Sequence, residues 1–113
     1  MRITANDQKN YVVLKIEGSF SNEHIKELDF QVNLNAKKKR HIMIDFTELS
    51  FISSSVLSAL LLYNDQLRSE NIVFNIFGLS ENIRKMFDIT GVSEHLFIFD
   101  SLDDAAADIR GTA

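Results

Sequence analysis

An α/β fold with a small mixed sheet is predicted by three features of this chain. Short runs rich in β-branched residues, with apolar side chains at every second position, alternate with longer stretches whose apolar residues recur every three or four. The later strands are each separated by a helix-length segment, the arrangement that yields right-handed crossovers and parallel strands. The first two strands are close enough to form a hairpin, so one edge of the sheet runs against the rest. The expected order is β-β-α-β-α-β-α-β-α, a four- to five-stranded sheet with about four helices.

The elements follow in turn. Residues 2–6 make a weak strand, and Gln8-Lys9-Asn10 a turn. Tyr11-Val12-Val13-Leu14-Lys15-Ile16-Glu17 is a clear strand, with Val12, Leu14 and Ile16 on one face and Gly18 as its end. Over 22–37, Ile25, Leu28, Val32 and Ala36 form one helical stripe, while Phe30 and Leu34 make a second apolar pair nearly opposite, which either lies under a loop, the favoured reading, or forms an exposed patch. His41-Ile42-Met43-Ile44-Asp45-Phe46 is a strand, and Thr47-Glu48-Leu49-Ser50 a polar turn. A helix from about 54 to 69 is apolar nearly all round in its first half, so it should pack on the sheet and on other helices. Ile72 to Phe77 is almost continuously apolar, as an interior strand covered on both faces must be. Ser80 caps a helix over 81–90, Glu81 suits its first turn, and Gly91 is a left-handed stop. Leu96 to Phe99 is a last strand, and Ser101 with Asp104 opens a short C-terminal helix.

Composition narrows the function classes. The 113 residues suit one domain, 1–113, with a radius of gyration of roughly 13 Å. Hydrophobic residues at 45% and charged residues at 25% exclude an intrinsically disordered chain. The longest apolar stretch, Val56 to Tyr63, is far short of the ~20 residues a membrane helix needs. No apolar leader follows Arg2, and a cytoplasmic location is expected. The absence of cysteine removes disulfides, thiol nucleophiles and thiolate metal sites. A net charge of −4 argues against a nucleic-acid binder.

The residues also speak against an enzyme. The chain has no phosphate-binding glycine loop, no dinucleotide fingerprint and no nucleophile elbow. His24, His41 and His95 are far apart without helical pairing, which fits surface or strand-end residues better than metal ligands. Asp45 is a lone carboxylate. Lys37-Lys38-Lys39-Arg40 ends a helix, where cations complement the dipole. No cofactor or metal is expected.

The unusual feature is Phe51-Ile52-Ser53-Ser54-Ser55-Val56-Leu57-Ser58, which enters a helix. Helix starts leave about four amides unpaired, and one serine can serve as the cap. Three in a row exceed that job. They are consistent either with capping alone or with a functional hydroxyl. In the second reading, phosphate on such a serine adds about −1.5 to −2 charges where the amides and the dipole tolerate a dianion. The domain keeps its fold, while a partner packed there meets a hydrated charge that costs several kcal/mol to desolvate.

Asp45-Phe46-Thr47-Glu48-Leu49-Ser50-Phe51-Ile52-Ser53-Ser54-Ser55-Val56-Leu57 resembles the STAS-domain signature of anti-sigma factor antagonists, D-L-x-x-L-x-F-[IM]-D-S-[ST]-G-[LI]. Ile83 to Val92 resembles that family's V-x-[KR]-[LM]-F-x-x-[ST]-G-[LV] helix, and Gly18 with Phe20 its earlier G-x-[LF] turn. The resemblance covers almost the whole chain and implies a STAS-type fold. It implies a bacterial partner-switching protein acting in transcription regulation, which binds a GHKL-type serine-kinase anti-sigma factor when unphosphorylated. That kinase would release it by phosphorylating Ser54, and a PP2C-type phosphatase would reverse the modification. Ser53 and Ser55 are the rival acceptors. The implied contact set is Gly18, Phe20, Ser21, Ser53, Ser54, Ser55, Val56 and Ser58. Ser53 replaces the family's Asp, Val56 its Gly, and Ser21 stands where many members carry an acid, so the site is less acidic than is typical. The alternative is a constitutive subunit of an ABC lipid-transport or sensory complex, with the serines as caps and contacts only.

Overall fold

The period-two runs become strands and the period-3.6 runs become helices. The computed structural model describes residues 1–111; residues 112 and 113, which close the expected 1–113 domain, lie outside the described residues. In chain order the elements are β1 (Arg2–Asp7), β2 (Tyr11–Phe20), α1 (Ile25–Lys37), β3 (His41–Asp45), β4 (Leu49–Ile52), α2 (Ser54–Ser69), β5 (Phe74–Phe77), α3 (Glu81–Thr90), β6 (Phe97–Phe99) and α4 (Leu102–Gly111). Short 3-10 turns, Asn22–His24 and Val92–Glu94, precede α1 and β6. The first turn of the expected 22–37 helix is therefore 3-10 rather than α.

The sheet has six strands, more than the four or five expected. Five run in the order β1-β2-β3-β5-β6, and β4 pairs with β2 off that path. Only β1–β2 is antiparallel; the other pairings are parallel. The additional strand is β4, half of which lies in the expected polar turn. Its two end residues are buried and its two middle ones exposed, so this four-residue strand lacks the alternation by which the longer strands are read. It exists because β2 does not stop at Gly18. Gly18 takes φ +89°, the register against β4 shifts between Gly18 and Ser19, and the strand resumes to Phe20. A glycine here turns the strand through a bulge and does not end it.

Alternation assigns the layers. Val12, Leu14 and Ile16 of β2, Ile42 and Ile44 of β3, and Phe74 and Ile76 of β5 pack with Leu28 and Val32 of α1, Leu57 and Leu60 of α2, and Ile83 and Phe87 of α3. The intervening residues, Val13, Met43 and Phe77, point the other way and pack with Ala105 and Ile109 of α4. Three helices therefore cover one face and α4 covers the other. All four β5 residues are buried, as an interior strand requires. The radius of gyration is 12.8 Å.

Polar ties lock the layers. The Arg68 guanidinium on α2 donates to the Phe74 carbonyl and to Asn75 Oδ1, both at 3.0 Å, and stacks 3.6 Å from the Phe97 ring centroid. Asn75, fully buried, donates to the Ala105 carbonyl and to Asp108 of α4. Burial lowers the Arg68 pKa, and Asp108 works against that shift. Tyr63 of α2 donates to Asp29 of α1 at 3.0 Å; burial first, and that bond second, push its phenol well above the ordinary range.

One expected cover is absent. Phe30 and Leu34 were expected to lie under a loop, yet they are 64% and 38% exposed on the outer face of α1. Leu62 is exposed too, although the all-round apolar pattern of α2 implied burial. The other caps and stops agree with the sequence. Ser80 Oγ accepts from the Ile83 amide, Gly91 takes φ +80°, and Ser101 Oγ accepts from the Asp104 amide. Lys37 and Lys38 close α1, and Arg40 turns back to Asp7 at 3.0 Å and to the Gln8 carbonyl.

Candidate functional site

The serine run sits where β4 turns into α2. Ser53 is extended, with φ −84° and ψ 160°, and is the N-cap. Its Oγ accepts from the Val56 amide at 3.3 Å, and its carbonyl accepts the first helical bond from Leu57 at 3.1 Å. Its own amide donates to the Phe20 carbonyl at 3.0 Å. The β2–β4 pairing thus brings the Gly18–Ser21 segment against the start of α2, although more than thirty positions separate them in the chain.

Within that junction the three serines have different situations. Ser53 is half-buried and its hydroxyl is occupied by capping. Ser54 and Ser55 are exposed, as is Ser58 one turn along. The amides of Ser54 and Ser55, the first two of the helix, find no acceptor among the described residues, as helix geometry requires. The first turn of α2 carries no acidic residue. An uncompensated positive dipole end therefore faces outward beside two free hydroxyls.

Two members of the implied contact set are removed by the geometry. Phe20 and Val56 are 0% exposed, so neither side chain reaches a partner. Val56, where the family carries glycine, turns its side chain into the main core and anchors the first helical turn from below. Gly18 and Ser21 are half-buried at the rim. Ser21 opens the 3-10 turn: its amide donates to His24 Nδ1 at 3.2 Å, which leaves that nitrogen unprotonated, and its Oγ lies 3.3 Å from the same atom. His24 thus acts as a turn residue here, His41 accepts the Val73 amide on Nδ1 at 2.9 Å, and His95 is exposed. Asp45 ends β3 and accepts from both the Thr47 amide and hydroxyl, a local turn closure.

Sequence reasoning missed two surface neighbours. Phe51 ends the exposed pair of β4, three residues before Ser54, and is 47% exposed. Leu62 is 69% exposed and continues the four-residue spacing Ser54, Ser58, Leu62 along α2. That spacing was a readable signal for Leu62. Phe51 stood at the head of the serine run, but its exposure could not be read because its strand could not be seen. Among the described residues no group of three or more His, Cys, Asp or Glu side chains could hold a metal, and no helix is long and apolar enough to cross a membrane.

Comparison with known proteins identifies the family and the fold. The family model for the STAS domain matches residues 2–105. A Bordetella bronchiseptica protein, BtrV, named as an anti-sigma factor antagonist, is 24% identical over 108 residues, 95% of this chain and 93% of that protein. An anti-sigma factor antagonist from Mycobacterium paratuberculosis has the same fold, with a TM-score of 0.84 at 19% identity over 96% of this chain and 93% of that one. So does SpoIIAA in its unphosphorylated form, with a TM-score of 0.79 at 18% identity over 97% of both chains. The phosphorylated form of the Bacillus protein superimposes with a TM-score of 0.71, at 18% identity over 95% of this chain and 97% of that one. The chain belongs to the STAS domain family.

Proposed function

We propose that this STAS domain is an anti-sigma factor antagonist whose grip on its partner is switched by phosphorylation of Ser54. The observation that carries the reading is the division of labour within the serine run. Ser53 is consumed as the cap, while Ser54 stands exposed at the first position of α2, beside unpaired amides and without an acid in the turn.

The chemistry follows from that placement. Phosphate on Ser54 Oγ adds about −1.5 to −2 charges within reach of the open helix end, so the domain holds it without rearrangement. A partner seated over Ser54, Ser55, Ser58 and the apolar Phe51 and Leu62 must instead desolvate it. A penalty of several kcal/mol lowers affinity by two or more powers of ten, at 1.4 kcal/mol for each. The phosphoryl donor is the ATP of the partner kinase: the new bond joins Ser54 Oγ to the γ-phosphorus, ADP leaves, and the hydroxyl proton passes to a base on the kinase. We assign the kinase to the GHKL anti-sigma type, the reverse step to a PP2C-type phosphatase, and the place of action to the cytoplasm. The domain itself supplies binding and an acceptor, not catalysis.

The test is to incubate the protein with its cognate kinase and ATP and to map phosphate by mass spectrometry. Modification at Ser54 is expected; modification at Ser53 or Ser55, or none, would remove Ser54. Ser54→Asp should lose the kinase and Ser54→Ala should keep it. Co-purification of an ABC ATPase in place of a kinase would favour the constitutive-subunit alternative.

A further inference from the structure

The outer face of α1 has the geometry of a contact with its own copy. Phe30 stands out from the surface with a shallow groove on either side. One groove, about 350 Å³, lies between Phe30, Gln31 and Ile3 of β1. The other, about 320 Å³, is bounded by Asn33 and Leu34. A knob and a hole on one patch are what a two-fold contact requires, because each residue must meet its complement on an identical surface.

The charges agree. Lys26, Glu27, Asp29 and Lys37 border the two grooves, two of each sign. A strongly acidic or strongly basic partner gains little from such a patch. A copy turned through half a revolution can set each sign against its opposite. Asp29 is already held in place by Tyr63 at 3.0 Å and Asn33 at 3.2 Å, so one of these charges has a fixed position.

The sheet supplies the second half of the surface. β1 is the terminal strand, and among the described residues no strand pairs with its outer side. Ile3 and Ala5, opposite Ile16 and Leu14, turn toward the face that α1 covers. Two β1 edges joined antiparallel about an axis normal to the sheet keep both α1 helices on one face, flanking the axis. Unpaired edges of this kind are templates for pairing.

We infer that the β1 edge and the Phe30–Leu34 face of α1 form an isologous homodimer interface, with Phe30 of one copy entering the groove beside Phe30 of the other. One strand edge and one helix face per copy lie at the small end of the ~1,200–2,000 Å² that stable interfaces bury, so the dimer should be reversible and micromolar.

Analytical ultracentrifugation of the full chain over about a hundredfold range upward from low micromolar tests it. The wild type should pass from monomer to dimer mass. Phe30→Glu should move the midpoint at least about tenfold upward, with an unchanged melting temperature at concentrations where the wild type is monomeric, because Phe30 is exposed in the single copy. The chain has no cysteine, so Asn33→Cys should form disulfide-linked dimers faster than a control Asp88→Cys on α3. A wild type that stays monomeric throughout overturns the inference. So does a dimer indifferent to Phe30→Glu, or equal cross-linking from both cysteines. None of these outcomes bears on Ser54, which is tested by phosphate mapping.

Discussion

Helices α2 and α3 begin in nearly the same way and diverge after one residue. Each follows a strand of the parallel sheet. Each is capped by a serine in extended conformation whose Oγ accepts the third helical amide at 3.3 Å, Ser53 from Val56 and Ser80 from Ile83. In each, that third residue is buried in the main core. The difference is the first helical position. In α3 it is Glu81, whose carboxylate complements the dipole and faces Lys85 at 3.8 Å. In α2 it is Ser54, and no acid follows in that turn. One start carries an acid against the dipole; the other carries none. Capping and compensation of the dipole are therefore separate jobs, and of these two helices only α2 leaves the second one unfilled.

The largest way to separate the two starts is to fill the open one. Phosphorylated Ser54 should weaken partner binding by roughly a thousandfold, about 4 kcal/mol, in isothermal titration against the kinase. Asn82→Asp, an added charge in the first turn of α3, should leave that affinity unchanged. Should both variants weaken binding alike, the contrast between the helices would be lost.

Next come the buried third residues. Val56→Gly should cost about 3 kcal/mol in urea unfolding, from lost burial plus the poor helix propensity of glycine. Ile83→Gly should cost at least as much, since both anchor a first turn. The caps should then behave as equals: Ser53→Ala and Ser80→Ala are each expected to lose about 1 kcal/mol. A much larger loss at Ser53 would mean that its hydroxyl does more than cap.

A smaller effect sharpens the electrostatic half of the comparison. Glu81→Ser makes the start of α3 resemble that of α2 and should cost about 0.5 kcal/mol, fading with salt. The smallest effect is a background shared by both helices. Burial holds the His41 imidazole below its ordinary 6.5, and its Nδ1 must stay unprotonated to accept the Val73 amide. The unfolded chain takes that proton first as pH falls. Stability should therefore be complete above about pH 7 and decline as pH drops below 6.5 toward the lowered folded value. His41→Asn should flatten that part of the thermal-melting profile.

Much of this comparison was legible from local pattern. The three-serine entrance to α2, the Ser80-Glu81 start of α3 and the Gly91 stop are short-range signals, and the structure places each where the pattern put it. Ser54 is not singled out in that way: the local pattern leaves capping and a functional hydroxyl open, and the resemblance to the STAS signature is what points to this serine. The contact residues were harder. Phe20 and Val56 belong to the contact set that the resemblance implies, and only the structure shows that their side chains are buried in the core.

The sequence by itself determined the order of every element but β4, the caps and stops of the later helices, and which side of each long strand faces the core. These depend on side-chain periodicity and on backbone preferences a few residues apart. Tertiary structure alone decided that β2 runs on through Gly18 to pair with β4, that the Phe20 carbonyl meets the Ser53 amide, and that Phe30 and Leu34 lie uncovered. Each of those outcomes is set by which distant segment arrives to bond or to bury, and a local pattern holds no record of that arrival.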